Sequence, residues 1–74
     1  ETDLAGLRYE RLLIIMELIH PEEKALLVMK YQDNISLKLI MSTFRISESA
    51  AKMRIKRAKA RVMYLYTKQY PSEE

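Results

Sequence analysis

Cysteine is absent from these 74 residues, so no disulfide can staple the fold and no thiolate is available as metal ligand or nucleophile. The single histidine, His20, leaves little from which to build an imidazole metal site or a serine–histidine triad. Glycine occurs once (Gly6) and proline twice (Pro21 and Pro71), so few positions can break the backbone. No apolar run approaches the roughly 18 residues that a membrane span needs, and no signal peptide is visible. These absences point away from an enzyme, a metalloprotein and a membrane protein. The expectation is no catalytic site, no metal, no cofactor and a cytoplasmic location. The chain begins at Glu1 and not at methionine, which reads as a fragment of a longer protein.

What is present is an ample apolar fraction (49%) and a lopsided charge. The apolar content argues for a folded core and against disorder. Seventy-four residues make one small domain that buries a modest share of its surface. The net charge of +3 conceals a strong asymmetry. Residues 1–34 carry four basic and seven acidic side chains, residues 35–70 nine basic and one acidic, and the last four add two carboxylates. A cationic C-terminal half attracts a polyanion in a salt-sensitive way.

Strand alternation is missing, whereas helical spacing recurs throughout. The pattern predicts an all-α, compact four-helix domain with a helix-turn-helix and a long C-terminal recognition helix. Helix 1 is expected over about 3–19, capped by Thr2 or Asp3, with Leu4, Leu7, Ile14 or Ile15, and Leu18 inward. His20-Pro21 breaks the chain, because proline disfavours helix before it and suits the first helical position. His20 is better placed as a cap than as a titrating switch. Glu22 and Glu23 complement the dipole of helix 2, expected over 21–32, with Ala25, Leu26, Val28, Met29 and Tyr31 inward. Asp33-Asn34 is a turn pair. Helix 3 (36–44) repeats Leu37, Ile40, Met41 and Phe44 at i, i+3, i+4 and i+7. Arg45-Ile46 turns, Ser47 caps, and helix 4 (47–69) runs until Pro71 forbids extension. Its inward stripe is Ala51, Ile55, Ala58, Val62 and Leu65. The methionines other than Met53 read as core filling. Tyr64, Tyr66 and Tyr70 are expected against helix 1, and Tyr9 and Tyr31 partly buried.

With that stripe inside, Glu48, Ser49, Lys52, Met53 and Lys56 fall on the exposed front of helix 4's first turns, and with Ser47 at the cap they are candidates for DNA contact. Arg57, Lys59 and Arg61 lie farther along its flanks, and Arg54 toward the opposite side. Six of the ten residues from Lys52 to Arg61 are basic. Basic residues late in a helix also complement its dipole, and charge runs are ordinarily solvated surface. Here they follow a short helix and a tight break, the arrangement in which a helix enters the DNA major groove.

The ordered set of residues resembles region 4 of bacterial sigma factors, the small extracytoplasmic-function type. The family pattern L-S-x-x-E-I-A-x-x-L-x-I-S-x-x-T-V-K-x-R-L-x-R-A is matched at Ser36, Ile40, Ile46, Ser47, Lys52, Arg54, Arg57 and Ala58. Ile35, Phe44 and Ile55 are conservative swaps. The stretch Leu18 to Tyr31 is similar to the segment that precedes the pattern, and the likeness covers about residues 12–66. The resemblance implies promoter −35 recognition on double-stranded DNA in transcription initiation, while attached to the β flap of RNA polymerase. It also implies possible cover by an anti-sigma protein. Positions matching Lys52, Met53, Lys56 and Arg57 face bases or nearby backbone in the family. Lys52 and Arg57 are the candidates for guanine O6 and N7. Lys38, Arg45, Lys56, Lys59 and Arg61 are the candidates for phosphates. Four departures stand out. Leu39 replaces the capping-box glutamate, and Met41 an alanine. Arg45 replaces a small turn residue, and Ala50-Ala51 a Thr-Val pair whose hydroxyl can bond a phosphate. Two other readings remain: a dimeric helix-turn-helix regulator, and a sigma-like interaction module without DNA recognition.

Overall fold

The longest element sets the shape. The computed structural model describes residues 4–71. Within them lie four α-helices: α1 (Tyr9–Met16), α2 (Pro21–Leu27), α3 (Leu37–Phe44) and α4 (Glu48–Gln69). A single 3₁₀ turn (Leu4–Gly6) precedes α1, and a π-helical turn (Val28–Gln32) continues α2. At about 1.5 Å per residue the 22-residue α4 is about 33 Å long, which accounts for most of the 39 Å long axis. The other extents are 20 and 19 Å.

α4 is a spine shared by two apolar clusters. Its C-terminal half contributes Ala58, Val62 and Tyr66 to a cluster with Leu4, Ile15, Met16, Ile19 and Leu27. Its N-terminal half contributes Ala51 and Ile55 to a second with Leu26 and Ile40, flanked by Leu37, Met41, Phe44 and Ile46. Leu26 and Leu27 are consecutive, and about 100° of helical rotation sends them to different clusters. Ala51 and Ala58 are wholly buried. A methyl at each place lets the neighbouring helices close on the spine.

Helix starts follow local chemistry. At α2 the His20 Nδ1 accepts the Glu22 N–H (3.0 Å), and the Glu23 carboxylate accepts the His20 N–H (3.2 Å). Pro21 sits in the first turn. Ser36 Oγ accepts the Leu39 N–H at the start of α3. Ser47 Oγ accepts the Ala50 N–H at the start of α4, at 3.2 Å. α3 ends on Arg45 in the left-handed region (φ 56°, ψ 52°). The Ile46 N–H then reaches the Met41 carbonyl, and both side chains pack on the second cluster. This is the Schellman closure with its apolar clasp, made on an arginine where glycine is the usual choice.

Several expectations need correction. Helix 1 does not run over 3–19: the chain bends after Gly6, Arg8 is extended (ψ 129°), and α1 spans only Tyr9–Met16. The Arg8 N–H donates to the Tyr66 hydroxyl (3.2 Å), a tertiary partner that replaces a helical one. Ile15, Met16 and Ile19 are the buried residues here, while Ile14 and Leu18 are exposed. Tyr9 also faces out. In the second segment Leu27 is buried, whereas Ala25 and Tyr31 are exposed. The π turn is the reason that Tyr31 leaves the inward register. The last buried position on α4 is Tyr66 and not Leu65, which is half-buried. Tyr66 and Tyr70 pack toward α1, with the Arg11 guanidinium 4.4 Å from the Tyr70 ring centre. Tyr64 stays exposed beside Lys68. Of the methionines, Met16 is buried, Met29, Met41 and Met63 are half-buried, and Met53 is exposed. The cap expected at Thr2 or Asp3 lies outside the described residues.

No helix among the described residues is long and apolar enough to cross a membrane.

Candidate nucleic-acid interface

The outer surface of α4 is organised by helical arithmetic. Around the buried stripe Ala51, Ile55, Ala58, Val62 and Tyr66, steps of about 100° put Lys52, Lys56 and Lys59 on one flank. Arg54, Arg57 and Arg61 fall on the other. Ser49, Met53 and Ala60 form the crest between them. The surroundings agree with this division. Lys59 lies over the Tyr31 ring (5.7 Å), whereas the three arginines line a groove with His20, Glu22 and Glu23.

Glu48 and Lys52 pair at 2.9 Å, one turn apart, with both side chains about 60% exposed. The Lys52 ammonium, by hydrogen bond and then by charge, holds the Glu48 carboxyl below its ordinary value. So exposed a pair contributes little to stability, but it occupies the lysine expected to meet a base. Ser47 Oγ is engaged as the cap and lies 3.3 Å from Ser49 Oγ. Met53 is nearly half exposed on the crest, and Lys56 is exposed beside it. Lys38, in the first turn of α3, and Arg45, at the α3–α4 turn, are both exposed, at opposite ends of α3. Among the described residues, Lys38, Arg45, Arg54, Lys56 and Arg57 have no carboxylate within salt-bridge distance.

Thus Ser49, Lys52, Met53 and Lys56 are exposed over the first turns of α4, with Glu48 beside Lys52. Arg57 lies one turn past Met53, about 40° around the helix, and it also faces the groove beside α2. Arg61 is also drawn to that side, where its Nε donates to the Glu23 carboxylate at 3.2 Å. The partners are 38 residues apart in sequence, so no local spacing announces them. Arg54, expected on its own side, is the third member of the arginine flank.

A second surface lies on the opposite side of α2. An open groove of about 810 Å³ between α1 and α2 is lined largely by apolar side chains, including Leu7, Leu12, Leu13, Ile14, Val28 and Tyr31. Leu13 and Ile14 are each about half exposed. Sequence periodicity left the Leu12–Met16 run apolar nearly all round, which was the available signal for an uncovered face. Among the described residues no cluster of three or more His, Cys, Asp or Glu is positioned to hold a metal ion.

Comparison with known proteins adds no relatives: no family model, no curated protein and no solved structure matches the chain.

Proposed function

We propose that the chain is a helix-turn-helix DNA-binding domain of the sigma region 4 kind, which lays the start of α4 in the major groove of a promoter −35 element. The observation that carries the reading is the exposed front of α4. Met53 on the crest and Lys52 and Lys56 on the flank beside it are exposed on a helix anchored by two cores, with Arg45 exposed at the turn that leads into it. In this reading Lys38, Arg45 and Lys56 hold phosphates, while Lys52 and Met53 face base edges, with Arg57 at the margin of the groove. Lys59 and Arg61 exchange their present neighbours, Tyr31 and Glu23, for the duplex backbone or stay where they are. The apolar groove between α1 and α2 supports the polymerase flap as the partner that the sequence resemblance implies. An anti-sigma protein is a further proposed partner on the same grounds.

The test is a gel-shift titration with a target duplex and a random duplex at fixed salt. Lys52→Ala is expected to weaken specific binding by about 1–3 kcal/mol and to relax the preference between the two. An unchanged preference would remove Lys52 from base readout. Absence of any duplex binding at physiological salt, with a flap fragment still bound, would favour the interaction-module reading. That alternative draws on the internal partners of Lys52, Lys59 and Arg61. Sedimentation at micromolar concentration tests the remaining alternative: a dimer would favour another class of regulator.

A further inference from the structure

We propose that the groove between the start of α2 and the arginine flank of α4 docks an amphipathic helical segment of a protein partner, acidic along one edge. The inference does not depend on DNA binding. The groove holds about 590 Å³ and has walls of opposite sign. One wall is the arginine flank of α4; the other carries Glu22 and Glu23. Between them the surface is apolar, with Leu18 58% exposed and Phe44 half-buried at the end of α3. An aliphatic side chain left so open in a small protein gains by being covered.

The chemistry of the occupant follows from the walls. Arg61 already holds a carboxylate across the groove, that of Glu23. Arg54 and Arg57, one turn apart, have no such partner among the described residues. Guanidinium groups favour carboxylates in paired geometry. A nucleic-acid backbone fits poorly, because a uniform polyanion would meet Glu22 and Glu23 as well as the arginines. It would also press phosphates onto Leu18 and Phe44, which cannot solvate them. A helix suits both walls: carboxylates toward α4, cations toward α2, and a leucine ridge on the apolar strip.

The experiment is a fluorescence-anisotropy titration of the full chain with a labelled helical peptide carrying glutamates on one edge, lysines on the opposite edge and leucines between. Saturable binding is expected. Leu18→Gln and Arg54→Gln should each weaken it by roughly tenfold, leaving affinity for a duplex within about twofold. Both residues are exposed, and thermal melts of the variants check that the fold is kept. A peptide with serine for each leucine but the same charges should bind at least roughly tenfold more weakly. The proposal fails if the serine peptide binds as tightly, if Leu18→Gln changes nothing, or if no peptide binds at millimolar concentration. It also fails if Arg54→Gln lowers duplex affinity as much as peptide affinity, which would assign the groove to nucleic acid. Loss of duplex binding by the unmodified chain, with peptide binding intact, would sink the DNA reading alone.

Discussion

Glu48 is the only carboxylate among residues 35–70, and it is spent on Lys52. Replacing it with glutamine therefore isolates one question: whether the front of α4 lies against the duplex, where a Lys52 cation held at base edges also displaces about one counterion. In the free protein the pair is made at 2.9 Å, so Lys52 must be released before it can neutralise anything else. The Glu48→Gln variant starts with that cation free. Each phosphate neutralised steepens the dependence of log affinity on log salt by about 0.9. One regained contact is then worth about fivefold in affinity at 0.15 M salt and about fifteenfold at 0.05 M. The assay is anisotropy with one duplex across a salt series. The expected result is tighter binding by the variant and a slope steeper by about 0.9. A pH series gives an independent check. The Glu48 carboxyl titrates below its ordinary value because Lys52 favours its charged form. The pair is thus fully made above the unfolded-state value and is lost as pH falls through the lower folded-state value. Down that window the gain in duplex affinity should be larger for the unmodified chain than for the variant. Weaker binding by Glu48→Gln at every salt concentration, or parallel slopes, would refute the claim that this end of α4 lies against the duplex.

Arg45 holds a left-handed conformation that costs a side-chain residue about 1–2 kcal/mol, offset in part by the extra unfolded-state freedom of glycine. Arg45→Gly is accordingly expected to stabilise the fold by about 0.5–1 kcal/mol, a rise of several degrees in calorimetric Tm. A fall in Tm would show that the arginine side chain makes a contact that outweighs the backbone. Tyr66→Phe removes the oxygen that accepts the Arg8 N–H, and urea denaturation should register a loss of about 0.5–1.5 kcal/mol. No loss would mean that water replaces the hydroxyl. Salt should act with opposite signs on fold and binding. Arg54 and Arg57, neither with a carboxylate partner among the described residues, repel one turn apart, so raising salt should raise the melting temperature of the free protein while weakening the duplex complex. A melting temperature that falls with salt would refute the first half.

Helix existence was legible wherever a cap or a breaker marked it. Ser36, Ser47, His20-Pro21 and Pro71 all act at the boundaries that their chemistry dictates, and the α3 and α4 limits follow within a residue. The failures share one cause, tertiary contact overriding local pattern. Nothing within ten residues of Arg8 announces that the Tyr66 hydroxyl will take its N–H and break the first helix. The wide turn at Val28–Gln32 has no breaker in its sequence, yet it turns Tyr31 out of the core and toward Lys59. At the site, the inward stripe of α4 was readable from spacing, so the exposure of Lys52, Met53 and Lys56 was readable too. The segregation of lysines from arginines was equally present in the spacing. The groove that gives it meaning was not, because it needs α2 brought alongside α4.

α4 bears on how such a charged helix stays straight. Its basic residues repel at i, i+3 and i+4, and helices are stabilised in proteins mainly by packing an apolar face. In α4 that face is split: Ala51 and Ile55 meet one cluster, and Ala58, Val62 and Tyr66 the other. Each cluster alone clamps only about two turns, too little to hold a 22-residue helix against its own charge. Together they fix both halves, and Leu26 and Leu27 tie the clusters to one short helix. Local loosening of either cluster would therefore free a cationic segment in particular. Stability of the core and presentation of the basic surface are the same physical problem in this chain.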